Sequence, residues 1–183
     1  MIKPYQVEIS DEILQNIYTK VKNYSWHEMP DDGGWDYGTN LVYMKEFSKY
    51  WIEKFDWRKT EEKINKFKNF KTNIDGIDIH FIHEKGSGKS PKPLLLSHGW
   101  PGSIVEFLHI IDQLAHPEKF GGKEEDSFDV VVPSLPGFGF SSRPSNPIGP
   151  RKMSAIFNSL MTNELGYKKY IAQGGDFGGT ICT

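Results

Sequence analysis

Six residues near the end of the chain, Gly174-Gly175-Asp176-Phe177-Gly178-Gly179, follow directly on a strand-like run, Lys169-Tyr170-Ile171-Ala172-Gln173. A single reactive side chain framed by glycines after an apolar strand has the spacing of a nucleophile elbow, a sharp strand-to-helix turn. Only small neighbours leave room for the central side chain to stand clear of its own backbone. An elbow demands a strand before it and a helix after it, so this one motif restricts the fold to an α/β sheet. Here the central residue is a carboxylate where a serine is more usual. An aspartate so placed attacks carbon and forms an ester with the protein, which implies opening a strained ring or displacing a leaving group at carbon.

The segments upstream supply such a sheet. Asp75-Gly76 separates Phe70–Ile74 from Ile77–Glu84, a two-residue hairpin signal, and Ile77, Ile79 and Phe81 alternate onto one face. Leu94-Leu95-Leu96 and Val130-Val131-Val132 are short, wholly apolar runs of the kind that form buried parallel strands. Between them Ser103 and Glu106 form a capping box, opening a helix with Ile104, Phe107, Leu108 and Ile111 inward. Ile156, Phe157, Leu160 and Met161 mark another amphipathic helix, which Gly166 ends. Strand, helix, strand, helix, strand from about residue 71 onward predicts a parallel sheet. The first 70 residues read instead as helical. Ser10 caps a helix carrying Ile13, Leu14, Ile17 and Val21. A second runs from about Asn40 to Phe55 with Met44, Phe47, Trp51 and Phe55 at spacings of three and four, and a third from Thr60 to about Phe67. The aromatic stripe of the second helix reads as packing rather than a cofactor site.

Two further loops sit where a ligand would meet the sheet, after strands. His98-Gly99-Trp100-Pro101-Gly102-Ser103 follows Leu94–Leu96, and Pro133-Ser134-Leu135-Pro136-Gly137-Phe138-Gly139-Phe140-Ser141 follows Val130–Val132. Either loop alone fits a structural turn; three in order, each after a strand, do not fit scaffold. An elbow of this kind needs backbone N–H donors from the residue after the nucleophile and from the upstream loop, here Phe177 and Trp100.

Together the motifs at 98–103, 133–141 and 174–179 resemble the epoxide hydrolase branch of the α/β-hydrolases. The stretch from Trp35 to Trp57 and the junction from Phe70 to Lys85 are similar to its microsomal-type members. The resemblance covers nearly the whole chain. It implies a helical segment over residues 1–70, then the first half of a mostly parallel α/β-hydrolase sheet over 71–183, with lid and C-terminal strands absent. It implies Asp176 as nucleophile and the Trp100 and Phe177 N–H groups as the oxyanion hole. His98, Gly99, Pro101, Gly174, Gly175 and Gly178 are expected to shape the loops around them. The reaction implied converts an epoxide and water to a vicinal diol; no cofactor and no metal is implied. Phe177 stands where tryptophan is frequent in this branch, a change that leaves its backbone donor intact. The family's charge-relay acid, general-base histidine and ring-opening tyrosines lie further along than Thr183, so the chain reads as the N-terminal part of such an enzyme. It is then expected to expose a strand edge and an apolar sheet face with Ile171 and Val131, and to self-associate or pair with a chain supplying the missing half.

Other readings compete less well. A haloalkane dehalogenase also uses an elbow aspartate, but such enzymes commonly follow it with a tryptophan whose indole N–H binds the halide, and Phe177 has no such donor. A non-catalytic assembly fragment stays open, because no downstream base is present. His98 lies in the upstream turn and reads as loop support. His80 and His83 stand three apart on a strand and point to opposite faces, which argues against a metal pair with Glu84. Asp31, Asp32 and Asp36 with Gly33 and Gly34 lack calcium-loop spacing and read as a solvated turn around Met29–Gly34. Gly86–Ser90 lacks phosphate-loop spacing, and Ser141 and Ser142 lack a nucleophile's context. Net charge is −2 with 25% charged residues, which suggests no nucleic-acid partner. One cysteine, Cys182, excludes an internal disulfide and fits a reducing, cytoplasmic compartment. The start carries no signal-peptide h-region and no run of 18 apolar residues spans a membrane.

Overall fold

The computed structural model describes residues 1–28 and 34–183. Most of the turn anticipated at Met29–Gly34, and the calcium-loop question with it, therefore lies outside the described residues. The chain divides into two compact units, residues 8–61 and residues 1–7 together with 62–183.

The smaller unit is helical. Helix α1 (Asp11–Lys22) is capped by Ser10, whose hydroxyl accepts the Ile13 N–H, with Asp11 and Glu12 in its first turn. Acidic side chains there complement the positive end of the helix dipole. Asn40 caps α2 (Leu41–Glu53) in the same way, through the Tyr43 N–H. The aromatic stripe of α2 runs ring to ring from Tyr43 through Phe47 and Trp51 to Phe55, with centroids 6.3–6.5 Å apart. It is only half-covered and lines an open groove of about 610 Å³ with Val21, Tyr24 and Trp26. Helix α3 (Trp57–Asn65) starts earlier than its apolar pattern suggests. The Asp56 carboxylate explains this, because it accepts the Arg58 N–H and stabilises an earlier first turn.

The larger unit is built on a six-stranded sheet in the order β1-β2-β3-β5-β4-β6. Its strands are β1 (Lys3–Pro4), β2 (Asn69–Ile74), β3 (Ile77–Glu84), β4 (Lys92–Ser97), β5 (Phe128–Pro133) and β6 (Ile171–Gly174). The β2–β3 hairpin turns at Asp75 and Gly76, with φ of 53° and 80°, and pairs Ile74 with Ile77. Positive φ at both residues is the hairpin geometry that matches strand twist. The sheet is mixed. β1, β2, β3 and β5 pair antiparallel, while β5, β4 and β6 are parallel. The parallel part thus begins at residue 92, once helical crossovers replace the hairpin.

One face carries Ile79, Phe81, Leu95 and Val131 against Ile156, Phe157, Leu160, Met161 and Ile181. These helical residues come from α5 (Pro150–Ser159), the π turn after it, and α6 (Phe177–Cys182). Val131, expected on an uncovered face, is fully buried, because β5 is an interior strand and α5 lies over it. The expectation holds only for Ile171 on the sheet-edge strand β6, which is 46% exposed. On the opposite face, the capping box of Ser103 and Glu106 is present. It opens a 3₁₀ turn (Ile104–Phe107), followed by α4 (Ile111–Ala115), rather than one continuous helix. The spacing of three between Ile104 and Phe107 suits that tighter turn.

Candidate active site

The elbow is where the sequence put it. Strand β6 ends at Gly174, and α6 starts at Phe177. Asp176 lies between them with φ 52° and ψ −127°, a conformation that side-chain-bearing residues rarely adopt. The strain is held from both sides. A Cβ on Gly178 would lie 2.1 Å from the Ser97 carbonyl oxygen, and one on Gly174 would lie 2.3 Å from the Gly178 backbone. The end of β4 and the start of α6 therefore approach too closely for any side chain, and that approach turns Asp176 outward. Gly175 meets no such obstacle; its place in the turn is exposed.

The upstream loop closes over the aspartate. The Trp100 N–H donates to Asp176 Oδ1 at 2.9 Å. The Trp100 and neighbouring Phe177 backbone N–H groups together hold this carboxyl below the usual carboxylate range. Hydrogen bonds to the charged form favour it. Asp176 is thus an anion at neutral pH, with the Trp100 N–H hydrogen-bonded to its Oδ1. Gly99 is tight against it, since a Cβ there would lie 2.7 Å from the Asp176 Cβ. The Trp100–Pro101 peptide is cis, and the Gly102 N–H returns to the Gly99 carbonyl at 2.9 Å. Together Gly99, Trp100, Pro101, Gly102, Glu106, Gly175 and Asp176 line an open recess of about 400 Å³.

Among these lining residues there is no imidazole and no phenol. His98 is fully buried beneath the loop and both ring nitrogens are engaged, by Gly99 and by Leu135. The Pro133–Ser141 loop does not enter the recess lining; it supports the loop that does. His80 and His83 go to separate places. His80 bonds Ser134 and Asn69, whereas His83 bonds the Tyr167 hydroxyl. The hydroxyls of Ser141 and Ser142 serve β3, accepting the His80 and Asp78 N–H groups. Sequence reasoning missed Glu106 as a recess-lining carboxylate, although its capping box with Ser103 already placed it on that loop. It also missed the network of Lys85, Asp129 and Tyr167, whose partners are far apart in the chain and leave no local signal.

The fold and the elbow define a member of the α/β-hydrolase fold, and the alpha/beta hydrolase fold family matches residues 92–183. Residues 2–107 match the family described as epoxide hydrolase N terminus, and the chain belongs to it. It is 43% identical to epoxide hydrolase 1 of Sus scrofa, over all of this chain and 41% of that protein. Among solved structures it is similar to the epoxide hydrolase of Aspergillus niger, with a TM-score of 0.87 and 32% identity over 99% of this chain and 48% of that one. The juvenile hormone epoxide hydrolase of the silkworm Bombyx mori superimposes with a TM-score of 0.86 at 33% identity, over 99% of this chain and 43% of that one. The chain spans about 40% of the length of the curated relatives it matches.

Proposed function

We propose that this chain carries the nucleophile half of an epoxide hydrolase, and that Asp176 attacks an epoxide carbon. The observation that carries this reading is the Asp176 carboxylate at positive φ, held on Oδ1 by the Trp100 N–H at 2.9 Å. One oxygen is thereby fixed and the other is free to attack. The ring opens as its C–O bond breaks, leaving an alkyl ester on Asp176 and an alkoxide that must take a proton. Water then attacks the ester carbonyl. The Trp100 and Phe177 N–H groups stabilise the oxyanion that forms there, and collapse releases the diol. Proton transfer in both steps requires an acid and a base. Among the described residues neither group lines the recess with Asp176, apart from Glu106. Glu106 Oε1 is committed to the Ser103 N–H at 3.2 Å.

The domain assignment belongs to the same proposal: residues 1–70 as the helical segment, 71–183 as the first part of the catalytic core. Pairing is part of it too. Among the described residues strand β6 bonds only β4, and Ile171, Ala172 and Gln173 are exposed along its free edge. An unpaired strand edge beside apolar surface drives association. The 183-residue chain is therefore expected to self-associate, or to pair with a chain that supplies further strands. No described helix is long and apolar enough to cross a membrane. The unpaired Cys182 fits a reducing, cytoplasmic setting. Sedimentation equilibrium of the isolated chain at micromolar concentration tests the pairing; a compact monomer that unfolds cooperatively would refute it. Epoxide turnover by a protein of the relatives' length carrying these residues, compared with its Asp176→Ala variant, tests the activity. Equal turnover by the two would refute the assignment.

A further inference from the structure

We propose that His98 is a positioning residue: fixed as its Nδ1–H tautomer between two loops, it sets where the Trp100 N–H meets Asp176. The inference rests on the reading of Asp176 as the nucleophile. The tautomer follows from the donors around the ring. The Leu135 N–H points at His98 Nε2 at 3.1 Å, so Nε2 is the acceptor. The proton is then on Nδ1, which donates to the Gly99 carbonyl at 2.9 Å. The same carbonyl receives the Gly102 N–H at 2.9 Å. Two donors thus hold one end of the turn whose next N–H, that of Trp100, reaches Asp176 Oδ1.

The far end of this brace is anchored as well. Ser134, beside Leu135, donates its N–H to the His80 carbonyl at 2.9 Å. Asn69 Nδ2 donates to the Ile64 and Phe67 carbonyls, so Asn69 Oδ1 must accept, and His80 Nε2 carries the proton that meets it at 2.9 Å. His80 Nδ1 is then free to accept from Ser134 Oγ at 2.9 Å. Ser141 Oγ closes the loop, donating to the Ser134 carbonyl at 2.8 Å and accepting the His80 N–H at 3.0 Å. The two buried histidines hold opposite tautomers, and both are fully satisfied. A continuous run of bonds therefore leads from Asn69 on β2 to the loop that holds the nucleophile. A side chain at position 98 that filled the space but could not accept from Leu135 and donate to Gly99 would uncouple the two loops.

The test reads the carboxylate's surroundings, not ester formation, on the 183-residue chain. In the ¹⁵N-labelled protein, the His98 ring should show a protonated Nδ1 and a bare Nε2, with through-bond coupling between Nε2 and the Leu135 amide. A protonated Nε2, or no coupling, overturns the proposal, and this holds even if no variant folds. In His98→Phe, which keeps a ring against Phe138, the Trp100 amide should exchange at least about ten-fold faster. The Asp176 titration should move upward toward an unperturbed carboxylate. An unchanged Trp100 exchange rate and Asp176 midpoint in folded His98→Phe would also overturn it. If these results hold but no Asp176 ester forms in the longer protein, the reading of Asp176 fails while the brace stands. The reverse pattern sinks only the brace.

Discussion

Acid should destabilise this chain well above the carboxylate range, and His80 should account for a separable part of the loss. His80 is fully buried, and burial, aided by the nearby Lys71 charge, pushes its imidazole from the usual 6.5 down to about 3. Between those values the folded ring is neutral while the unfolded ring is charged. The unfolded state binds the extra proton, so stability rises with pH through this window and is fully present above about 6.5. The slope is about 1.4 kcal/mol per pH unit for one such group, so lowering the pH from about 6.5 to 4.5 costs roughly 3 kcal/mol at His80 alone. Burial and Lys85 push His83 to about 4, and it adds to the loss in the same direction. Asp129 and Asp176 are held below 3.8, and Glu61 and Glu118 below 4.5, so their contributions are lost only at lower pH. Urea unfolding across that range tests this, with His80→Gln as the comparison. The variant should be less stable at neutral pH, by about 1–3 kcal/mol, because the Ser134 hydroxyl loses its acceptor. Its pH slope should be shallower by about 1.4 kcal/mol per unit. An unchanged slope in His80→Gln would refute the reasoning, since His80 would then not be the neutral, buried group that titrates on unfolding.

Gly178→Ala should cost at least about 3 kcal/mol or prevent folding, since its Cβ would meet the Ser97 carbonyl, which is backbone and cannot give way; a thermal scan showing a near-native transition would contradict this. Ser97→Ala should be neutral or stabilising by up to about 1 kcal/mol, because among the described residues the buried Ser97 hydroxyl has no hydrogen-bond partner; clear destabilisation in the same scan would reveal a partner. The 183-residue chain should show no multiple-turnover epoxide hydrolysis, since among the described residues the recess offers only Glu106 beside Asp176, and its Oε1 is bonded to the Ser103 N–H; repeated turnover that Asp176→Ala abolishes would overturn it.

The elements legible in the sequence are those set by local chemistry. Ser10 caps its helix as expected, and Ser103 and Glu106 form the expected capping box, though on a 3₁₀ turn. Asp75-Gly76 turns a hairpin because both residues can take positive φ. The elbow announced itself through glycines that two backbone segments leave no choice about. What stayed hidden depends on residues distant in sequence. Val131 is buried because α5 folds back over an interior strand, a fact of strand order rather than of its own neighbours. The spacing of His80 and His83 argued against a metal pair but gave no sign that Asn69 and Ser134 use both His80 nitrogens. Leu135 gave no sign that its backbone N–H holds His98.

The central claim is that Asp176 becomes esterified by an epoxide. The most direct measurement is intact-peptide mass spectrometry on a protein of the relatives' length that carries these 183 residues, quenched in acid within the first turnover, before water has cleaved the ester. The peptide containing Asp176 should gain the full mass of the epoxide, and Asp176→Ala should gain nothing. No added mass on that peptide while diol accumulates, or an adduct that persists in Asp176→Ala, would contradict the claim.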